Sequence, residues 1–392
     1  MLKTKGLCFL TLGLFLLGVL AASTTPCHAQ REGASKWEEA ILKAGGNAPQ
    51  LKRAESSALP EHKQAVRWLI ENMPVRDLQS LTAGFILTHV DWAYRARRSV
   101  PWSDSITDEL FFNDVLPYAC VNERRDPWRQ DFCERFLPIV QNCQTPGEAA
   151  MALNSAIWDM LEVRYSTKRP KADQSPYESI EAKMASCTGL SILLIDACRS
   201  VAVPARFVGV PEWTTKQGNH SWVEVWDDHQ WHCLGAAEPG PLGETWFLED
   251  AANADPSDPI HWVYATSFAP TGLTFPCAWN PAIDYVNAVD VTQSYRQNRP
   301  EIDKRILIVQ VFEKRAGPRV ALPVRVLISG RICAEGLSRD DRSDTNDMLT
   351  FKLAADESYD LEITCPDRRI ESRSVGLLTE ARLMVEIYLD ED

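Results

Sequence analysis

Two stretches near the middle of the chain decide its fold class: residues 186–201, SCTGLSILLIDACRSV, and residues 218–226, GNHSWVEVW. Ser186 is a residue type that caps helix N-termini, and the apolar residues that follow it recur at helical spacing. The second stretch alternates apolar and polar residues from His220 onward, which predicts a strand. Cys187 therefore opens a predicted helix, and a histidine 33 residues later opens a predicted strand. The expected buried face of the helix comprises Leu190, Leu193, Leu194, Ala197 and Val201.

This pairing of a cysteine with a histidine predicts nucleophilic thiol chemistry. A thiol needs a lowered pKa to attack near neutral pH, and unpaired backbone N–H groups at a helix start favour its thiolate form. A nearby imidazole can take the thiol proton and later donate it to a leaving amine. We predict that Cys187 is the nucleophile and His220 its base, the alternative being a buried structural cysteine.

A third group should orient the imidazole through its other ring nitrogen. Glu238, on the strand that returns after a turn at residues 227–230, is the predicted acid, and Asp250 is the runner-up. For either carboxylate, a solvated turn residue is the alternative.

The register of the predicted hairpin decides whether Glu238 can play this role. If Trp226 pairs with His232, His220 lies directly opposite Glu238. If Trp226 pairs with Trp231, Glu238 points to the other face, because a shift of one residue turns every side chain over. The sequence leaves the register open.

Three ordered motifs make this region resemble the core of the transglutaminase-like superfamily, over residues 146–270. The motifs are Ser186-Cys187-Thr188-Gly189, Val203-Pro204-Ala205-Arg206 and Asn219-His220-Ser221-Trp222-Val223-Glu224-Val225. Members share a papain-like fold and a Cys, His, Asp triad that acts on amide or thioester carbonyls, so the resemblance implies those roles for Cys187 and His220. The family's strand usually ends in an aspartate beside a proline, whereas here Glu238 precedes Pro239.

The whole chain is predicted to have an α+β fold, with a papain-like transglutaminase core between an N-terminal helical region and a C-terminal β-sandwich. Helical spacing with breaks at proline dominates before the core, and short β-branched runs separated by polar turns follow Pro300. The predicted division is 1–29 signal peptide, 30–145 helical region, 146–299 catalytic core and 300–392 sandwich module.

The first residues have the pattern of a secretory signal peptide. Lys3 and Lys5 precede an apolar run, Gly6–Ala22, and a small-residue stretch with predicted cleavage near Ala29. The expected location is therefore secreted or periplasmic. The run is short for a membrane span, so membrane association is expected only if the segment stays uncleaved.

Composition narrows the range of partners. The 392 residues carry a formal net charge of −13 and no clustered basic surface, which argues against nucleic acid as a partner. The expected partner is a protein or peptide substrate, including cell-wall peptide.

Eleven cysteines in an exported chain indicate an oxidising compartment, and Cys333 with Cys365 is a plausible disulfide inside the sandwich. No Cys-x-x-Cys pair occurs, which argues against a zinc ribbon or a thioredoxin-like site.

We expect no metal and no cofactor. His220, His229, His232 and Cys233 have zinc-ligand chemistry but no zinc-motif spacing. The acidic run 340–347 lacks the spacing and glycine of a calcium loop, so a solvated turn is the prediction. Most of the tryptophans are expected in the core. Trp213 and Trp222 are the predicted candidates to line a substrate cleft.

The predicted function is that of an exported thiol enzyme that cleaves or transfers amide-bonded acyl groups of proteins or peptides through a Cys187 thioester. Hydrolysis is slightly favoured over transamidation, because exported members of the family that this chain resembles are more often proteases or amidases. The alternative is a non-catalytic binding or scaffold protein built on a papain-like fold, which a disulfide at Cys187 would favour.

Overall fold

A computed structural model describes residues 35–297, 304–355, 357–378 and 382–390 of the chain. The predicted signal peptide, residues 1–29, lies outside the described residues. Within the described ranges, no helix is both long enough and apolar enough to cross a membrane.

The first part of the described chain is helical, as the apolar spacing predicts. Pro74, Pro101 and Pro117 all fall between helices, because proline lacks the N–H that a helix interior requires. Thr82 caps the longest helix of this region by accepting a hydrogen bond from the Phe85 N–H at 3.2 Å. The helices are α1 (Lys36–Ala44), α2 (Ala48–Ser57), α3 (Lys63–Asn72), α4 (Val75–Leu78), α5 (Ala83–Arg97), α6 (Asp108–Leu110) and α7 (Trp128–Val140).

Three helices carry the centre of the molecule: α8 (Pro146–Leu161), α9 (Pro176–Ala182) and α10 (Cys187–Ser200). A capping threonine, Thr145, and a proline in the first turn start α8. Burial around α10 is more complete than predicted, because every residue from Thr188 to Ser200 is buried rather than one face alone. The polar members of the helix are therefore enclosed as well.

A six-stranded sheet packs beside α10 in the order β5-β4-β3-β6-β8-β7, with every pairing antiparallel. Its strands are β3 (Ala205–Val210), β4 (His220–Asp227), β5 (Gln230–Leu234), β6 (Tyr264–Ser267), β7 (Leu273–Thr274) and β8 (Asn287–Asp290). Two short parallel strands, β1 (Arg164–Tyr165) and β2 (Met184–Ala185), lead into the helix. The short helices α11 (Leu248–Ala252) and α12 (Thr292–Gln297) complete this part.

The hairpin of β4 and β5 resolves the open register. Trp226 pairs with Trp231, and Asp227 pairs with Gln230. The turn therefore has only two residues, Asp228 and His229, at φ values of 43° and 62°. Two positive φ values in succession are typical of a tight hairpin turn.

The last part is the predicted β-sandwich, with one sheet in the order β11-β10-β13-β14 and another in the order β12-β9-β15. Residues such as Leu307, Val324 and Leu361 fill the space between the sheets and are fully buried. The strands are β9 (Lys304–Lys314), β10 (Pro323–Ile328), β11 (Arg331–Leu337), β12 (Leu349–Ala354), β13 (Ser358–Thr364), β14 (Ile370–Leu377) and β15 (Arg382–Asp390).

The predicted disulfide between Cys333 and Cys365 is wrong for this structure. All nine cysteines in the described part of the chain are free. Cys333 lies on β11 and Cys365 follows β13, and β10 separates these two strands. Two strand spacings amount to roughly 9–10 Å, which exceeds the span that a disulfide bridges.

The N-terminal helices share one hydrophobic core with the helices and sheet that follow. This core runs from Ala40 to Ala288, whereas the sandwich interior forms a separate cluster. Polar contacts join the same parts. The Trp102 indole donates to the Ala202 carbonyl, and the buried Arg129 guanidinium donates to the Arg199 carbonyl. The limits of the predicted divisions stay predictions.

Candidate active site

Cys187 is the first residue of α10, as predicted, with Ser186 as the N-cap. The Ser186 hydroxyl accepts a hydrogen bond from the Gly189 N–H at 3.2 Å and donates one to the Ala172 carbonyl at 2.7 Å. A side chain at Gly189 would collide with Ala185, because a Cβ there would lie 2.9 Å from the alanine methyl. These contacts fix the backbone that presents the thiol.

His220 is the first residue of β4, also as predicted, and the strand runs against α10. The Thr188 and Ser221 hydroxyls lie 3.2 Å apart, and the Ser191 hydroxyl donates to the Ser221 carbonyl at 3.3 Å. These hydrogen bonds hold the start of the strand on the start of the helix. The imidazole is buried, with 3% exposure.

Asp344 is the carboxylate that the structure brings to the thiol and the imidazole. One ligand-type atom from each of Cys187, His220 and Asp344 lies within 4.8 Å of the others. The closest approach of Asp344 to the imidazole is 3.7 Å, between Oδ2 and Nδ1. This Cys-His-Asp arrangement draws its third member from the sandwich.

The site loop, residues 339–347, joins β11 to β12 and carries Asp344. The Arg319 guanidinium holds it from inside by donating to the carbonyls of Asp340, Ser343, Asp344 and Asp347. Asn346 joins the loop to the core, because its amide donates to the Asn219 carbonyl at 3.1 Å. The Lys216 ammonium donates to the Asn346 carbonyl at 3.3 Å.

The prediction of a solvated turn at residues 340–347 is therefore wrong for Asp344 and Asp347, which are only 5% and 7% exposed. Asp341 and Arg342 of the same loop are exposed, as predicted. Sequence reasoning missed Asp344 for this reason. No local pattern distinguishes an acidic turn in solvent from one that a distant arginine and a distant strand hold in place.

Electrostatics at the site differ from the prediction of a thiolate favoured by the helix. Burial raises the pKa of Cys187 well above its usual range, and the Asp344 charge adds to the rise. Backbone groups of Ser221 and Thr188 oppose it. Burial also lowers the pKa of His220 to about 4, although Asp344 opposes this change. The resting pair is thus a neutral thiol beside a neutral imidazole that is free to accept a proton.

Glu238 lines the same cavity without facing His220 across the hairpin. The observed register is the one that turns Glu238 away, and the pairing of β4 with β5 ends at Val223 and Leu234. The Asn154 side chain holds the turn by donating to the Gly235 and Glu238 carbonyls. A Cβ at Gly235 would lie 2.1 Å from the Glu238 carboxylate, so a side chain there would displace that carboxylate.

The Glu238 carboxyl group lies among other acids. Burial raises its pKa to about 8, and the neighbouring charges of Asp347 and Asp344 add to the rise, whereas Trp246 and Arg339 oppose it. Asp250, the runner-up acid, has other partners. Its carboxylate accepts hydrogen bonds from Thr215 at 2.6 Å, Lys216 at 2.7 Å and Arg382 at 2.8 Å.

Trp213 and Trp222 do not line the cavity. Both are buried, and their rings stack near the imidazole with centroids 6.1 and 5.9 Å from that of His220. The two indole rings thus pack beside the His220 imidazole. Trp246 is the tryptophan in the cavity wall.

The cavity over the thiol has a volume of about 400 Å³. The core and the site loop both line it, so that four acids and two arginines face one space. Its ionisable lining, apart from Tyr165, Cys187 and His220, consists of Glu238, Glu244, Arg339, Arg342, Asp344 and Asp347.

The other candidate metal ligands are dispersed. The His232 ring lies 3.2 Å from the Asp227 carbonyl, and the Cys233 thiol lies 3.8 Å from the Thr245 hydroxyl. Among the described residues, the one group that could hold a metal ion is Cys187, His220 and Asp344. Three such ligands are the number found in catalytic zinc sites, but the same set serves thiol chemistry, to which the sequence motifs assign it.

Comparison with known proteins supports that assignment. The profile of the Transglutaminase-like superfamily matches residues 135–235. This segment contains helix α10, strand β3 and the hairpin of β4 and β5. A search of curated proteins finds no match.

Solved structures with similarity include a candidate cysteine protease from Cytophaga hutchinsonii and red sea bream transglutaminase. The first is 17% identical with a TM-score of 0.25, and the match covers 29% of this chain and 40% of that chain. The second is 10% identical with a TM-score of 0.29, and the match covers 71% and 66%. This chain thus spans less than two thirds of either structure, and superpositions this weak carry no argument about activity.

The matched segment places a cysteine at a helix start against a histidine at a strand start, and Asp344, which lies outside that segment, brings a carboxylate beside them. That arrangement is the one papain-like thiol enzymes use. The part of the chain that carries Cys187 and His220, residues 135–235, is thus similar to the Transglutaminase-like superfamily.

Proposed function

We propose that this protein is an exported thiol enzyme that attacks amide bonds of protein or peptide substrates, including cell-wall peptide, through a thioester on Cys187. The observation that carries the proposal is the position of the Cys187 sulfur. It lies within 4.8 Å of His220 at the start of α10, and both residues line an open cavity of about 400 Å³.

The neutral resting pair sets the order of proton transfers. The Cys187 sulfur attacks the amide carbonyl carbon while its proton passes to His220. The tetrahedral intermediate then expels the amine, which takes that proton, and a thioester remains. Water or another amine attacks the thioester and gives a proton to His220, which returns it to the departing sulfur.

Backbone donors at the helix start supply stabilisation for the oxyanion. The N–H of Cys187 belongs to the first turn of α10, where no intrahelical acceptor exists. Such a group can point at the developing negative charge and is the first candidate for an oxyanion donor.

Hydrolysis remains the favoured outcome. The cavity lining is rich in charged and polar side chains, so water can reach the thioester from the open side. Transamidation is the competing outcome, in which an amine replaces water.

An acylation experiment tests the proposed nucleophile and base. We expect the purified protein to form a stoichiometric acetyl thioester with p-nitrophenyl acetate, which mass spectrometry would locate on Cys187. His220→Ala should form it at least about 100-fold more slowly, because removal of a general base has effects of that order. His232→Ala, which changes a histidine on the neighbouring strand, is the matched control.

The second candidate function is a binding or scaffold protein. The observation that favours it is the raised pKa of the Cys187 thiol, since a protonated sulfur is a poor nucleophile. A folded protein whose Cys187 forms no acetyl adduct, in wild type as in His220→Ala, would establish this function over the catalytic one.

A further inference from the structure

Asp250 joins three separate parts of the chain through one buried carboxylate on α11. Its Oδ1 accepts hydrogen bonds from the Thr215 hydroxyl at 2.6 Å and the Arg382 guanidinium at 2.8 Å, and its Oδ2 accepts one from the Lys216 ammonium at 2.7 Å. Thr215 and Lys216 belong to the loop before β4, whereas Arg382 begins β15 of the sandwich. The carboxylate thus fixes this loop, α11 and the sandwich to one another.

The Lys216 ammonium extends these contacts to both sides of the candidate active site. It donates a hydrogen bond to the carbonyl of Asn346, a residue of the site loop, at 3.3 Å. The same ammonium lies 4.6 Å from the ring centroid of Trp246 and 5.4 Å from that of Trp213. Both indoles pack against the His220 imidazole, with centroids 4.7 and 6.1 Å from its own. One cation therefore contacts the site loop and the aromatic surroundings of the imidazole.

The placement of Asp344 beside His220 needs such support, because the two side chains do not hold each other. Asp344 Oδ2 lies 3.7 Å from His220 Nδ1, which is too long for a hydrogen bond. Neither ring nitrogen of the histidine has a hydrogen-bond partner among the described residues. Asp344 instead accepts hydrogen bonds from Asn346 on Oδ1. Asn346 is in turn bound to the core through Asn219 and Lys216, so these contacts set where the carboxylate lies.

Stability alone gives little reason for a buried ion pair at this place. The Lys216 and Asp250 side chains are only 10% and 5% exposed, and removing two charges from water can cost more free energy than their attraction returns. Apolar residues of similar volume often pack equally well. An ion pair adds direction, because a carboxylate that holds an ammonium also sets where its remaining N–H groups point. The pair therefore fits a role in the geometry of the site.

We propose that Lys216 and Asp250 are positioning residues for the thiol reaction. Asp250 anchors the Lys216 ammonium, and the ammonium holds the backbone of the site loop. The Asp344 carboxylate therefore stays beside the His220 imidazole while the imidazole takes up and returns the thiol proton. Neither positioning residue lines the cavity over the thiol, so both act through other groups. The inference rests on the proposed function and adds to it the means by which the sandwich completes the site.

Lys216→Met tests the proposal with little risk to the fold, because Asp250 keeps Thr215 and Arg382 as partners. Acetylation of Cys187 by p-nitrophenyl acetate, followed by mass spectrometry in a single turnover, should be about tenfold slower or more, since small misplacements of catalytic groups have effects of that order. Lys216→Arg keeps a cation that can reach the same acceptors, so its rate should lie between those of Lys216→Met and wild type.

Lys352→Met is the matched control. Lys352 lies on β12, and its ion pair with Glu249 at 3.2 Å also joins α11 to the sandwich. That ion pair includes neither the site loop nor the indoles, so its loss should leave the acetylation rate unchanged. Urea unfolding of each variant confirms that the rates belong to folded protein. Slowing as large in Lys352→Met as in Lys216→Met would show that any weakening between α11 and the sandwich suffices, which overturns the positioning role.

A double-mutant cycle with Asp344→Asn shows whether Lys216 acts through the carboxylate. If it does, Lys216→Met has little left to disturb once the charge of Asp344 is gone, and the slowing should shrink from about tenfold to less than about twofold. A direct effect of the ammonium charge on His220 would persist in both backgrounds. An equal factor in both backgrounds, or a wild-type rate in Lys216→Met, would overturn the proposal.

Failure of the proposed function gives a different result from failure of the positioning role. In the first case Cys187 of the folded wild type forms no acetyl adduct. In the second case the wild type is acetylated and only the effect of the lysine variants is missing. If Lys216→Met does not fold, Lys216→Gln, which keeps a hydrogen-bond donor, takes its place in the same cycle.

Discussion

Asp344 acts on Cys187 through its charge, and a single substitution isolates that effect. The Asp344 carboxylate raises the pKa of the thiol, so Asp344→Asn should lower it and increase the thiolate fraction at any given pH below the pKa. We expect about three- to tenfold faster alkylation of Cys187 by iodoacetamide at pH 8. Asp360→Asn is the control, and slower alkylation of Asp344→Asn would show that the carboxylate instead assists the thiol.

Glu238 should make the stability of the protein depend on pH. Its pKa is raised to about 8 in the folded state from an ordinary value of 4.5. The folded state therefore holds a proton that the unfolded chain loses, and stability falls as pH rises from about 4.5 to 8. Glu238→Gln removes this loss, so its advantage in urea unfolding should grow between pH 5 and pH 8 by roughly 3–4 kcal/mol. The same difference at both pH values would contradict the prediction.

The Ser186 cap should stabilise helix α10, whose first residue is Cys187. Ser186→Ala loses the hydrogen bond to the Gly189 N–H and the one to the Ala172 carbonyl. We expect a loss of about 1–2 kcal/mol in the free energy of unfolding, measured by urea titration. Ser155→Ala on α8, where the hydroxyl donates only to the Met151 carbonyl, should lose less than half as much. Equal losses of unfolding free energy in the two variants would show that the cap contributes no more to stability than the Ser155 hydroxyl does.

The elements around the thiol were predictable because their signals are local. The alternation after His220 and the apolar spacing after Ser186 gave the bounds of β4 and the start of α10. The hairpin register was not predictable, since it depends on Asp228 and His229 adopting positive φ, which neither residue type dictates. The roles predicted for Cys187, His220 and Glu238 stay predictions until they are tested by experiment.

Arg319 connects the sandwich to the cavity over Cys187, because it binds the backbone of the site loop. Arg319→Leu would leave four loop carbonyls without the guanidinium that now satisfies them. We expect trypsin to cleave after Arg339 or Arg342 at least about tenfold faster in this variant, because cleavage follows local opening. The exposed Arg325→Leu on β10 should behave like wild type, and an unchanged cleavage rate in Arg319→Leu would show that the loop is held by its other contacts.

Asp344, the third member of the site, could not be predicted from the sequence because contacts between distant parts of the chain bring it there. Asp344 approaches His220 because the parts of the chain around two distinct hydrophobic clusters meet through contacts such as Asn346 with Asn219 and Arg382 with Asp250. Each contact joins segments more than a hundred residues apart, and no periodicity within either segment records it. Local patterns can therefore place the thiol and imidazole, but not the carboxylate.

The late position of the site loop in the chain has a consequence for biosynthesis. The ribosome releases Cys187 and His220 long before residues 339–347, so the thiol of the nascent core is made before the carboxylate that later lies beside it. Only when the last strands pair does the carboxylate reach the sulfur. Reactivity of the thiol toward a neutral alkylating agent, followed during refolding, would thus report the moment at which the C-terminal sandwich docks.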